Sequence, residues 1–193
     1  PPPPVPSRRR NTRLCKLSRG LGDVYKRQLL AGAPVGRSRG QARFLISALQ
    51  AEVFNAVLAA RPLPIDRLET GDVAWLHASG ASFLVEDAAR EAPRASSFEI
   101  SATGPIFGSR MLEPRAAPLE RERAAYRKLG IPSGASLRLP RGVRLRGARR
   151  PFRVKPEAAS SEVVGDGAVR LCFALPPGSY ATVLVEELLS GLG

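Results

Sequence analysis

Helical and alternating apolar patterns, following one another in mixed order, predict an α+β fold for this chain. Three observations carry that expectation. Residues 41–61 place apolar side chains at helical spacing. Residues 71–85 and 168–175 alternate as strands do. No stretch repeats another, so a solenoid or propeller is not indicated.

The first predicted helix carries Leu45, Leu49, Val53, Ala56 and Ala60, widened by Phe44, Ile46, Val57 and Leu58. Such a broad stripe predicts burial. The Arg61-Pro62 step ends it, because a residue before proline is pushed out of the helical region. Gly71 to Leu76 and Ala81 to Val85 flank Ser79-Gly80 and predict a hairpin. Glu86 to Glu91 predicts a short helix closed by Pro93. Phe98 to Gly108 starts as an alternation and is expected to end as a loop at Gly104-Pro105. Residues 118–129 predict the second clear helix, with Pro118 at the first helical position and Gly130 as its left-handed cap. Leu137 to Val154 alternates apolar and basic residues, as strands with one buried face do. Val169, Leu171, Phe173 and Leu175 point one way along a further strand, which Pro176-Pro177-Gly178 stops. A last helix follows, capped by Ser179, with Ala181, Leu184, Val185 and Leu188 in its stripe.

Composition narrows the function. With 193 residues and 44% hydrophobic content, the chain can bury a core. No run is expected to span a membrane and none reads as a secretory segment, so a cytoplasmic protein is expected. Cys15 and Cys172 make no disulfide framework; Cys172 is expected to be a small core residue. His77 is the one histidine, so no metal is expected, and His77 itself is expected at the surface. No cofactor motif is present: the Gly104 region lacks the Gly-Lys-Ser/Thr ending of a phosphate loop.

The net charge is +13, which favours nucleic acid as a partner. Residues 1–40 hold ten Lys/Arg and one Asp, and the remaining +4 belongs to residues 41–193. Residues 1–28 have no folding pattern. They fit a basic arm, an unstructured tail or non-native sequence; Gly22 to Gln28 resembles a peptide translated from sequencing-adaptor DNA, and the non-native, unstructured reading is the expectation. Within the rest, Arg138, Arg141, Arg144, Arg146, Arg149, Arg150, Arg153 and Lys155 form a run without an acid. Arg144 and Arg146 would share one strand face, and guanidiniums so placed can bridge phosphates. Arg144, Arg146, Arg149, Arg150 and Arg153 are therefore the candidate RNA contacts, against a solvated sheet face. Tyr180 follows a stiff Pro176-Pro177-Gly178 turn at a helix start, where it could stack on a base or simply cover the turn. No nucleophile–base pair or paired-acid centre is visible.

Three stretches, in order and spacing, resemble the TruD family of tRNA pseudouridine synthases. They are Arg43 to Arg61; Glu99 to Gly108 with the later Gly147-Ala148-Arg149-Arg150-Pro151; and Leu175 to Thr182 followed by Glu187-Leu188. The resemblance runs from about residue 37 to 189. It implies a catalytic α+β domain split by an inserted α+β domain. Residues 29–154 would be part of the insertion, and residues 155–193 would be the closing strand and helix of the catalytic domain. It implies tRNA as partner, no cofactor, and isomerisation of a uridine, at tRNA position 13, to pseudouridine. Tyr180 matches the family's aromatic residue in the uridine pocket. The family's nucleophilic aspartate lies in a G-x-K-D motif that this sequence lacks, so the chain is expected to be an inactive portion of the enzyme. Glu186 stands where the family usually has arginine. Residues 155–193 would miss partner strands, leaving Phe173, Leu175, Leu184 and Leu188 exposed. The alternative is a noncatalytic basic RNA-binding module.

Overall fold

The computed structural model describes residues 39–131, 145–165, 167–176, 179 and 181–190. The chain divides into two compact units, the first ending at Pro151 and the second running from Phe152 to Gly193.

In the first unit, helix α1 (Arg39–Ala59) precedes strands β1 (Val73–Leu76) and β2 (Ser82–Leu84). Helix α2 (Ala88–Ser96), strand β3 (Ile100–Ile106), helix α3 (Ala116–Lys128) and strand β4 (Ala148–Pro151) follow. The strands form one antiparallel sheet in the order β2-β1-β3-β4. Helix α1 lies on β3 and also touches α3. Its buried stripe is Ala42, Ile46, Leu49, Val53, Phe54 and Val57, facing Val73, Ala74, Ile100 and Ala102 as the core. By length and composition α1 could cross a membrane, contrary to the sequence expectation that no run would. The contacts with β3 and α3 are those of a core helix.

The β1–β2 hairpin is where the sequence puts it, whereas helix α3 starts earlier than expected, at Ala116, so that Pro118 is not its first residue. Gly130 closes α3 at φ +67°, with Gly130 N–H bonding the Arg127 carbonyl and Ile131 N–H the Tyr126 carbonyl. Three further features differ. Pro93 does not stop α2 but lies inside it. The Asp87 side chain accepts from the Ala89 and Arg90 N–H groups, so the start is capped well enough to carry the one lost backbone bond. The stretch expected as a loop at Gly104-Pro105 is instead the second half of β3, buried from Ile100 through Pro105. Both faces are covered, which erases the alternation. Pro105 lies past the last β1 pair, Ala74–Ala102, so its missing N–H removes no bond on that side. His77 is half-buried rather than on the surface; its ring stacks on Phe98 at 4.6 Å.

The second unit is a hairpin of β5 (Glu157–Val164) and β6 (Ala168–Ala174), followed by helix α4 (Ala181–Ser190). Its strands are mostly exposed. Cys172 is exposed on β6, not in a core. Phe173, Leu175 and Leu184 are half-buried. Leu188 is exposed, and the largest exposures among this unit's described large apolar residues fall on Val163 (77%), Leu189 (62%), Val169 (59%) and Val183 (59%).

Candidate nucleic-acid interface

Among its described residues in the first unit, the acid-free basic run does not form one exposed face. Arg144 and Tyr180 lie outside the described residues. Arg146 is exposed just before Gly147. Arg150 is half-buried, its guanidinium 5.1 Å above the Phe54 ring of α1. Arg153, in the second unit, is half-buried and has an interaction of its own.

Arg149 corrects the reading of this run as surface. It is 5% exposed and its donors are occupied. Nε donates to Thr103 Oγ1 at 3.0 Å, and Nη2 to Glu122 Oε1 at 2.6 Å and to the Thr103 carbonyl at 3.0 Å. Nη1 donates to Glu122 Oε2 at 3.1 Å and reaches the Leu112 carbonyl at 3.5 Å. A guanidinium has five N–H groups, so none remains for a phosphate. Thr103 in turn donates to the Val73 carbonyl at 2.5 Å. One buried fork thus ties β4, β3 and α3 together. Burial pushes the Glu122 carboxyl above its usual range, outweighing the opposing pull of Arg149. Burial also raises the Tyr126 phenol, with Glu122 adding to the effect.

A second interior pair joins Arg61, after α1, to Asp72 at 2.8 Å, and Asp72 also accepts from Glu69 N–H. These pairs answer for the acids as well. Asp72 is buried and paired, and Asp87 caps α2. Asp66 is exposed in the loop after α1, while Asp23 and Asp166 lie outside the described residues. Among the described residues no group of three or more His, Cys, Asp or Glu could hold a metal. His77 Nε2 does lie 2.8 Å from Ser101 Oγ, a pairing the sequence did not reveal across 24 positions. Ser101 is 1% exposed, so its hydroxyl cannot meet a substrate, and the pair fastens the end of β1 to β3.

What the sequence missed is a backbone crossing. The segment after β3 meets the segment before β4 at Gly108 and Gly147. A Cβ on Gly147 would lie 2.7 Å from Gly108 N, and one on Gly108 would overlap Gly147 N. Gly147 also takes φ +78°, where side chains are strained. Ser109 N–H bonds the Leu145 carbonyl at 2.9 Å, and Arg110 N–H bonds the Arg146 carbonyl at 2.7 Å. Gln50 Nε2, on α1, holds the Phe107 carbonyl at 2.9 Å. Arg110 and Arg146, 36 positions apart in sequence, are therefore backbone neighbours, and both side chains are exposed.

Known proteins share this frame. The family model described as tRNA pseudouridine synthase D (TruD) matches residues 36–188. The chain is 45% identical over 149 residues to the tRNA pseudouridine synthase D of Geobacter metallireducens, covering 77% of this chain and 36% of that protein. It is 40% identical over 159 residues to the Thermus thermophilus protein of the same name, covering 80% of this chain and 42% of that one. The chain thus spans well under half the length of these curated relatives. The crystal structure of the putative tRNA pseudouridine synthase D (TruD) from Methanosarcina mazei matches in fold with a TM-score of 0.55, at 24% identity. That match covers 75% of this chain and 37% of the other.

Proposed function

The chain belongs to the TruD family of tRNA pseudouridine synthases, a family of isomerases, and on that premise we propose that it forms part of an enzyme that converts a uridine of tRNA, at position 13, to pseudouridine. Residues 29–154 belong to the inserted domain in this reading, and residues 155–193 to the catalytic domain. Tyr180 stacks on the target base. The nucleophilic aspartate comes from outside these 193 residues, no cofactor takes part, and the place of action is the cytoplasm with its tRNA.

The observation that carries this reading is the family match across residues 36–188. The fate of two aspartates, Asp72 and Asp87, fits its second half, while Asp66 is exposed in a loop without the G-x-K-D neighbours. A nucleophile must be free to attack the base, whereas Asp72 is locked to Arg61 and Asp87 to the N–H groups of α2.

The test is a chimera in which residues 36–188 replace the matching region of the Geobacter metallireducens protein. The chimera is expected to form pseudouridine in tRNA, and the 193-residue chain alone is expected to form none. Replacing Tyr180 by alanine in the chimera should lower kcat/KM by roughly 5- to 150-fold, the range that loss of about 1–3 kcal/mol of base stacking gives. A folded but inactive chimera would overturn the proposed reaction. Turnover by the chain alone would overturn the absent nucleophile.

A further inference from the structure

We propose that Arg110 and Arg146, held as backbone neighbours by the Gly108–Gly147 crossing, form a two-guanidinium seat for the phosphate backbone of RNA. The inference rests on the proposed tRNA reading and goes beyond it by naming the contact.

Three observations lead there. The basic run before β4 commits Arg149 to Glu122 and Thr103, and Arg150 lies over Phe54. Arg146 is left exposed, and among the described residues its guanidinium has no acid, carbonyl or ring partner. Arg110 is in the same state, and its N–H is bonded to the carbonyl of Arg146 itself.

Second, the placement is rigid where it needs to be. The glycines let two backbones meet with no room for a Cβ, and Gln50 anchors the approach from α1. Like charges on neighbouring backbones repel wherever their side chains approach, unless an anion lies between them or water screens them. A backbone fixed at the crossing, with two exposed guanidiniums that have no partner among the described residues, matches a ligand that repeats its charge, as a phosphodiester chain does.

Third, the seat reads no base. It positions RNA through charge alone, and its signature is therefore salt dependence.

The experiment uses the full 193-residue chain and an unmodified tRNA transcript, with affinity measured from 50 to 200 mM salt. Arg110→Gln and Arg146→Gln should each lower the slope of log K against log salt by about 0.7–0.9, the share of one phosphate. The double variant should lower it by about twice that, so that its affinity falls roughly tenfold less across this salt range than that of the parent. Arg110→Lys with Arg146→Lys should keep the slope, since the charge is kept. Arg123→Gln, whose partner is Glu120 on the same helix, should leave it unchanged. An unchanged thermal melt of the double variant separates lost contact from lost fold.

An unchanged slope in the double variant, with tRNA still bound, would overturn the seat and leave the tRNA reading standing. Failure of the parent chain to bind tRNA at 50 mM salt would overturn the seat too, and the chimera would then decide the enzyme reading separately. Polyglutamate is the competing probe. Binding of polyglutamate as tightly as tRNA would mean that the pair serves an acidic or other polyanionic partner and not RNA.

Discussion

The two units of this chain treat charge and apolar surface in opposite ways. The first buries whole ion pairs, Arg149–Glu122 at 2% and 4% side-chain exposure and Arg61–Asp72 at 2% and 3%. The second leaves its ion pair, Arg170–Glu162, in solvent at 61% and 65% and exposes Val163, Val169 and Leu189 as well. Charges inside need every hydrogen bond satisfied, which only a fully assembled set of elements can supply. The first unit supplies that set for Arg149, whose five N–H groups are all occupied. An exposed two-stranded ribbon, followed in the chain by an apolar helix, is marginal alone.

The largest expected effect breaks this contrast at its sharpest point. Arg149→Ala leaves Glu122 buried without its partner and should lower the stability of the first unit by about 3–5 kcal/mol. Arg170→Ala in the second unit should change stability by about 0–1 kcal/mol, as exposed pairs do. Trp75 is the one tryptophan and sits on β1, so its fluorescence in urea follows the first unit. A loss below about 1 kcal/mol for Arg149→Ala would mean that the interior fork is not what joins β4 to α3.

Glu122 gives a smaller, pH-dependent handle. Its folded pKa is raised, by burial first, above the ordinary 4.5. The folded state therefore holds this proton more tightly than the unfolded chain. The associated stability is complete below pH 4.5 and is lost as pH rises through the raised value. Urea melts should show parent stability falling with pH over the window just above 4.5, relative to Glu122→Gln, in which this contribution is gone. A parallel pair of curves would sink the assignment.

Much of this arrangement could be read in the sequence, and the failures share a cause. The helix near 41–61, the hairpin around Ser79-Gly80 and the Gly130 cap are written in local periodicity and turn chemistry. Strand β3 is not, because burial on both faces removes alternation and Gly104-Pro105 mimics a loop. Arg149 reads as surface until Glu122, 27 residues earlier, is seen beneath it. Arg110 was missed for the same reason, since only the glycine crossing brings it to Arg146. In the second unit the stripe of α4 is correctly apolar, yet a stripe says which face wants cover and not whether cover is present.

The smallest expected effect concerns two helix ends that use one motif differently. Helix α3 ends on Gly130 at φ +67° and α2 runs on to Phe98 at φ +63°. Both make the same bond pair: Phe98 N–H to the Ala95 carbonyl and Glu99 N–H to that of Arg94 match those at Gly130 and Ile131. Glycine is at ease there, whereas a side chain costs about 1–2 kcal/mol. Phe98 offsets that strain by stacking on His77, a ring pair worth about 0.5–1.5 kcal/mol. Gly130→Ala should therefore cost about 1 kcal/mol. Phe98→Gly should stay within about 1 kcal/mol of the parent, because relief of strain and loss of the ring oppose each other. Phe98→Ala keeps the strain and loses the ring, so it should be less stable than Phe98→Gly by about 1 kcal/mol, the reverse of the order inside a helix. Equal melting of the alanine and glycine variants would show that the left-handed backbone at Phe98 carries no strain for the His77 stack to offset.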